Sequence, residues 1–198
     1  LEAANRELET FSYSVSHDLR APLRAMTGFS TILMQEHAPK LNPDALELLT
    51  RVSSASQRMA DLIDALLQLS RVARQPMKRV PIDFSALAHI VVQELRDTEP
   101  QRETQIEIDP DMHVEGDASL LRSVLQNLIG NAWKYSARKP VVKIQMRCRT
   151  IEGERVFYVR DEGAGFDMRY AGRLFTAFQR LHSAKDFDGT GIGLATVE

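Results

Sequence analysis

The chain is almost without cysteine. Cys148 is the only one among 198 residues, so it has neither an internal disulfide framework nor a cysteine-built zinc site, and a reducing compartment is expected. No apolar run approaches the ~20 residues of a bilayer-spanning helix, and no signal-peptide pattern opens the chain. A cytoplasmic setting without membrane contact in this stretch is the expectation, either free or as part of a larger receptor. There is no excess of one charge sign. With 25 basic and 27 acidic residues the net charge is −2, which leaves no basic field to hold nucleic acid. No internal repeat is visible. A hydrophobic content of 43% excludes wholesale disorder and leaves room for one large domain or two small ones.

Two modules are legible. Residues 1–36 read as one long helix, with Leu1, Leu8 and Val15 at heptad spacing and Ala4 and Phe11 three residues after Leu1 and Leu8. That is an a/d seam of about two heptads. The start is mid-helix in character, and the end at Glu198 carries no helix-closing signal, so the chain reads as part of a longer protein. The segment 37–44 holds two prolines and marks a turn. A second helix is expected from Asp44 to Arg74, with Leu46, Leu49, Val52, Met59, Leu62, Ile63, Leu66 and Leu69 on its apolar side. An antiparallel hairpin of this kind buries too little by itself, and pairing with a second copy into a four-helix bundle is the simplest remedy.

A linker is expected at 75–82, then an α/β module at 83–198. It reads as a helix from Asp83 to Thr98, strands at 104–109 and 112–116, and a helix from Asp117 to Tyr135. Strands at 141–149 and 155–161 follow, joined through Glu152-Gly153-Glu154. From Glu162 to Thr190 the chain is glycine-rich and polar. The fold class is therefore α+β.

Four clusters carry chemistry. Asp161-Glu-Gly163-Ala-Gly165 follows a predicted strand, and Gly189-Thr190-Gly191-Ile-Gly193-Leu194 opens a predicted helix. Both suit phosphate handling, since glycine lets backbone N–H groups approach phosphate oxygens and a helix N-terminus favours anions. Neither is a Walker loop, and the spacing and place of the second exclude a dinucleotide fingerprint. Taken alone, each is better read as a pair of turns. Asn127, Asn131 and Lys134 lie at i, i+4 and i+7, on one helix face. Two amides and an ammonium there suit a metal-bridged triphosphate, because amide oxygens are hard ligands for Mg²⁺ and lysine supplies a point charge. A solvated helix face is the bland alternative, weakened by the two glycine loops that follow. Finally, Ser16-His17-Asp18-Leu-Arg20-Ala21-Pro22-Leu23 places His17 off the heptad seam. There its imidazole would serve as a nucleophile, with Asp18 beside it to fix its tautomer or take its proton. Pro22 invites a kink one turn later. His37, His89, His113 and His182 have no such context, and His182 falls in the glycine-rich loop without metal-ligand spacing.

In this order, these motifs resemble the catalytic core of two-component sensor histidine kinases. The Ser16–Leu23 stretch resembles the phosphoacceptor motif, Asn127–Ser136 the N box, Asp161–Gly165 the first glycine box, Phe175–Phe178 the F box and Gly189–Leu194 the second glycine box. The wording around His17 is similar to phytochrome-type and other PAS-linked kinases. The resemblance implies a dimeric hairpin at 1–74 for histidine phosphotransfer. It also implies a C-terminally truncated two-layer α/β sandwich at 83–198, the Bergerat fold shared with DNA gyrase, mismatch-repair and heat-shock chaperone ATPases.

It also implies roles. His17 would carry the phosphoryl group, with Asp18 as base. Asn131 would bind Mg²⁺, with Asn127 beside it. Lys134 would contact the phosphates of ATP, and Tyr135 would line the nucleotide pocket. Asp161 would bond the adenine amino group above a floor shaped by Gly163 and Gly165. Residues from about Phe166 to Asp188 would form a lid anchored by Phe175 and Phe178, and Gly189, Thr190, Gly191, Gly193 and Leu194 would sit against the phosphates. The implied partners are a second copy of the chain, a response-regulator receiver domain and an upstream sensory domain. Ala21 stands where the family often has Thr or Asn, so weak phosphatase action toward the partner is expected. A scaffold that has lost the reaction is disfavoured by the presence of Asn131, Asp161 and the late glycines. A stand-alone ATPase is disfavoured by an asparagine, not a glutamate, at position 127.

Overall fold

The computed structural model describes the backbone of residues 2–72, 77–183, 186–187 and 189–197; the side chains of residues 1–17, 65–66, 68–76, 184–185, 188 and 198 lie outside the described residues. The chain divides into two compact units, Leu1–Arg74 and Gln75–Glu198.

The first unit is a helical hairpin. Helix α1 spans Glu2–Glu36 and runs through Pro22. A short 3₁₀ turn at Ala38–Lys40 follows, and α2 spans Pro43–Val72. The second helix starts one residue earlier than expected. The Asn42 side chain accepts a hydrogen bond from the Ala45 N–H at 2.8 Å, and Pro43 fills the first helical position, where its missing N–H costs nothing.

The seam between the helices is narrow. Leu23, Ile63 and Leu67 are buried with Ala60 packed against them, and Ser30 and Ser56 are buried as well. Ser56 returns its hydroxyl to the Val52 carbonyl at 3.0 Å, which satisfies it inside its own helix. The expected single apolar side of α2 proves to be two. Ser56, Ala60, Ile63 and Leu67 face inward at spacings of four, three and four, whereas Leu48, Val52 and Met59 stay exposed. On α1, Leu19, Met26, Phe29 and Leu33 form the matching outward row. The expected heptad contacts of Leu1, Leu8 and Val15, and those of Leu66 and Leu69, lie outside the described side chains.

The second unit is two layers of helix on sheet. Its elements are β1 (Val80–Asp83), α3 (Phe84–Thr98), β2 (Thr104–Ile108), β3 (His113–Gly116), α4 (Ala118–Tyr135), β4 (Val142–Ile151) and β5 (Glu154–Asp161), then a 3₁₀ turn at Met168–Arg173. Strand β4 is central, parallel to β2 and antiparallel to β5. Its alternation sends Val142, Ile144 and Met146 inward, each at most 1% exposed. Against them pack Ala88, Val91 and Val92 of α3 and Leu125, Ile129, Ala132 and Trp133 of α4. Asp83 caps α3 through the Ala86 N–H, and Asp117 caps α4 through the N–H groups of Ser119 and Leu120.

Two expectations need correction. The segment 75–82 is not all linker, since Val80–Asp83 pairs antiparallel with β3. Pro81 masks this strand in the sequence, but β1 pairs on one side only, and an edge strand tolerates the missing N–H. The second glycine motif also opens no regular helix. Residues 193–197 are turns, with the Thr196 N–H on the Ile192 carbonyl and the Val197 N–H on the Leu194 carbonyl. A single turn of such bonds fixes more dihedrals than it repays.

Candidate nucleotide site

Helix α4 supplies one wall of the site. Asn127, Asn131, Lys134 and Tyr135 all line a cavity of about 660 Å³, because their spacing follows the helical period. The end of β5 and the loop after it supply Asp161, Gly165 and Phe166, and the late glycine segment supplies Gly189, Thr190, Gly191, Gly193 and Leu194. Phe175 also lines the cavity. The volume falls in the range of small-molecule and cofactor pockets.

Local chemistry holds these pieces together. The Gly163 N–H donates to Asp161 Oδ1 at 2.8 Å, and the Ala164 N–H donates to the Tyr135 carbonyl at 3.0 Å. The first glycine loop is thus docked on the end of α4, where free helix carbonyls await donors. A Cβ at Gly163 would stand 2.7 Å from Asp161 Oδ1 and 2.9 Å from the Tyr135 carbonyl oxygen, so only glycine allows this approach. Gly163 therefore shapes the site from behind and does not itself line the cavity.

Asn127 has a tethering role as well. Its amide nitrogen donates to the Ser123 carbonyl at 2.9 Å and to Thr196 Oγ1 at 3.2 Å. A Cβ at Gly193 would collide with Asn127 Oδ1. The asparagine pins the late glycine turn to α4, and Gly193 makes room for it. Lys134 places its ammonium 4.5 Å from the Tyr135 ring centre, and the nearest neighbour of a Cβ at Gly189 would be Lys134 Nζ at 3.0 Å. The ammonium and the glycine backbone therefore face the same corner.

The F-box expectation changes. Phe178 does not line the cavity, and Phe175 and Phe178 are 46% and 54% exposed. Neither anchors the 166–188 segment. Phe178 has φ of 64° and donates its N–H to the Gly191 carbonyl at 2.9 Å, so it is the backbone that is fixed there. The aromatic that holds the segment is Phe187, 6% exposed. Its ring lies 5.0 Å from Tyr135 and 5.1 Å from His182, both in edge arrangements. Arg138 lies 5.4 Å above Phe187 and pairs with Asp186 at 2.5 Å. Ser183 and Arg138 hold the Asp186 carboxyl below its ordinary range.

Sequence reasoning missed His182, which lines the cavity 5.0 Å from Tyr135. It also missed Phe187 and Arg138. The available signal was an apolar aromatic, Phe187, set between two aspartates. The donor set fits a magnesium ion carried on a polyphosphate. Asn131 offers one amide oxygen in a cavity that also holds Lys134, and Mg²⁺ is usually held by few protein groups plus phosphate oxygens and water. His17 lies in α1, and its imidazole lies outside the described side chains. Arg20, one turn on, is ion-paired to Asp64 of α2, and Asp18 also has a partner. Among the described residues, no helix is long and apolar enough to cross a membrane.

Comparison with known proteins agrees with this layout. Residues 7–75 match the His Kinase A (phospho-acceptor) domain. Residues 116–198 match the Histidine kinase-, DNA gyrase B-, and HSP90-like ATPase family. Cyanobacterial phytochrome A of Nostoc sp. is 33% identical over 98% of this chain and 25% of its own length. Methanogenesis regulatory histidine kinase FilI of Methanothrix harundinacea is 32% identical over 100% of this chain and 22% of its own length. The chain thus spans about a quarter of the length of these relatives. The crystal structure of full-length ShkA in complex with AMPPNP shares the fold, with a TM-score of 0.62 and 24% identity over 95% of this chain and 39% of that one. The chain thus carries a His Kinase A (phospho-acceptor) domain followed by a domain of the histidine kinase-, DNA gyrase B- and HSP90-like ATPase family.

Proposed function

We propose that this chain is the phosphotransfer core of a two-component sensor histidine kinase. It moves the γ-phosphoryl group of ATP to His17 and then to an aspartate of a response regulator. The observation that carries the reading is one cavity lined by Asn131, Lys134, Tyr135, Asp161 and the late glycines, in a chain whose first matched domain is a phospho-acceptor domain that includes His17.

Residues 1–74 act as the dimerisation and phosphoacceptor hairpin, and residues 83–198 as the ATP-binding module. The Asp161 carboxylate, aligned by the Gly163 N–H, bonds the adenine amino group, while Tyr135 lies along the base. Lys134 and the backbone at Gly189, Thr190, Gly191, Gly193 and Leu194 neutralise the phosphates. Gly165 and Phe175 close the cavity, and the backbone fixed at Phe178 holds the late glycine segment. Asn127 keeps the late glycine turn in place. Asn131 would hold Mg²⁺, which when bound offsets the charge of the phosphate oxygens.

In the first step an imidazole nitrogen of His17 attacks the γ-phosphorus in line. The N–P bond forms as the bond to the β,γ-bridging oxygen breaks; ADP leaves, and Asp18 takes the ring proton. In the second step the N–P bond breaks as a carboxylate oxygen of the partner's receiver domain takes the phosphoryl group, and the released imidazole takes its proton back from Asp18. With Ala21 where a water-orienting side chain would stand, removal of that phosphoryl group by this chain is slow.

The exposed rows on α1 and α2 are the surface for a second copy, which would complete a four-helix bundle. An upstream sensory domain acts through α1 in the cytoplasm. The test is incubation of the full-length protein with γ-labelled ATP and Mg²⁺, beside His17→Gln and Asn131→Asp. Acid-labile label is expected on the wild type and absent from both variants. Label undiminished in His17→Gln would overturn the reading.

A further inference from the structure

His182 lines the cavity, and the mechanism above does not use it. It is half-buried, tilted by 38° against Tyr135 with ring centres 5.0 Å apart, and held from the side by Phe187 at 5.1 Å. Two ring contacts fix the imidazole plane at the cavity wall. Among the described residues, no hydrogen bond engages its ring nitrogens, which leaves them for something that enters the cavity.

The charges around it are unbalanced. The end of α4 brings Tyr135 and Lys134, and the residues after it bring Arg138. The ring's own segment brings Arg180 and Asp186, and β5 brings Asp161 to the same cavity. Asp186 is already engaged by Arg138 and Ser183. In the empty cavity the surroundings of the imidazole thus hold three cations, Lys134, Arg138 and Arg180, and two carboxylates, Asp161 and Asp186. A bound polyphosphate reverses that balance, because several negative oxygens then share the cavity with the ring.

We propose that His182 is a nucleotide-contacting residue whose imidazole takes up a proton as a nucleoside polyphosphate binds, donating a charge-assisted hydrogen bond to it. This rests on the nucleotide-binding reading above and adds a residue to that site. The direction follows from linkage. A proton held more tightly in the complex than in the free protein makes binding tightest at the acid end. Affinity then falls as pH rises through the ordinary imidazole range, about pH 6–7 and somewhat above. Binding affinity thus becomes pH-sensitive without any change in the rest of the site.

The test is calorimetric titration of the full-length protein with Mg²⁺ and a non-hydrolysable ATP analogue. It is run at pH 6.0, 7.0 and 8.5, and at pH 7.0 in buffers of different ionisation enthalpy, so that protons taken up are counted. Wild type is compared with His182→Phe, which preserves the ring packing, and with His182→Gln, which preserves a hydrogen-bonding group. The nucleotide's own proton exchange cancels in the comparison. Wild type is expected to take up a larger fraction of a proton than either variant. The variant-to-wild-type Kd ratio should fall from about 10 at pH 6.0 to about 2 at pH 8.5. Equal proton counts in all three proteins, or a Kd ratio that does not change with pH, would overturn the role of His182 while leaving nucleotide binding intact. A wild type that binds no nucleotide at any of these pH values would overturn both.

Discussion

The two units solve the burial problem in opposite ways. The α/β unit hides its large apolar side chains. Ile144, Met146, Leu125 and Ile129 are each 1% exposed, and helix and sheet close over them. The hairpin turns much of its apolar surface outward. Phe29 is 67% exposed and Leu48 61%, while two of the buried positions in its seam are serines. Inside the seam a serine costs little, because Ser56 satisfies itself on its own helix. Outside, rows of Leu, Met, Phe and Val have no such excuse in a folded monomer. The lesson is that the α/β unit has a core of its own, whereas the hairpin's larger apolar surface is built for something that covers it.

The sharpest way to break that contrast is to damage the core that is complete. Ile144 is the third residue of β4 and lies in the buried cluster with residues of α3 and α4. Ile144→Ala should lower the stability of the α/β unit by about 3–4 kcal/mol, through lost transfer energy plus the cavity left behind. Trp133 is the chain's only tryptophan and is 3% exposed within that core, so its fluorescence reports this unit alone. Urea unfolding followed at Trp133 should show the loss, with the helical signal of the hairpin retained. A Trp133 midpoint that does not move would mean that Ile144 does not belong to the core that holds Trp133.

The matching attack on the hairpin should behave differently. Phe29→Glu removes a large exposed ring and adds a charge on the outward row. Burying one such ring at an interface is worth roughly 1.5–3 kcal/mol, so self-association should weaken by about 10- to 100-fold. Sedimentation of wild type and variant over a concentration series measures this. An unchanged dissociation constant would show that this row is not the covered face.

The contrast also explains what could be read without coordinates. The spacing of Asn127, Asn131 and Lys134 was legible because a helix puts i, i+4 and i+7 on one side whatever else happens. Asp161 and the glycines were legible because close backbone approach leaves few residue choices, as the neighbours of Gly163 and Gly193 show. β1 was hidden by Pro81, whose presence on a one-sided edge strand only the pairing with β3 explains. His182 was hidden because its partners are Tyr135, far back in sequence, and Phe187, five residues on; neither distance carries a periodic signal. Of the outward rows of the hairpin, Val52 and Met59 were legible as apolar, but not as outward. Leu48, Val52 and Met59 share a helix with Ile63 and Leu67, and only the packing decides which stripe is covered.

The smallest expected effect concerns the place where the α/β unit begins. The Asp117 carboxylate accepts from the Ser119 side chain, from the Lys78 N–H at 3.1 Å, and from the N–H groups of Leu120 and Ser119. These bonds lower its pKa to about 2. One carboxylate thus caps the helix that carries Asn127, Asn131 and Lys134, and also ties down the strand-entry segment that first looks like a linker. A depressed carboxyl contributes stability that is fully present above its ordinary unfolded value near 4 and is lost as pH falls through about 2. Asp117→Asn keeps the shape and a weaker cap but removes the charge. The variant should be less stable than wild type at neutral pH, and the gap should narrow between about pH 4 and pH 2 as the wild-type carboxyl protonates. Thermal melting followed at Trp133 across that range tests it. A gap that stays constant from pH 7 to pH 2 would mean that the charge on Asp117 does nothing for this unit, and that the segment at Lys78 is held by other contacts.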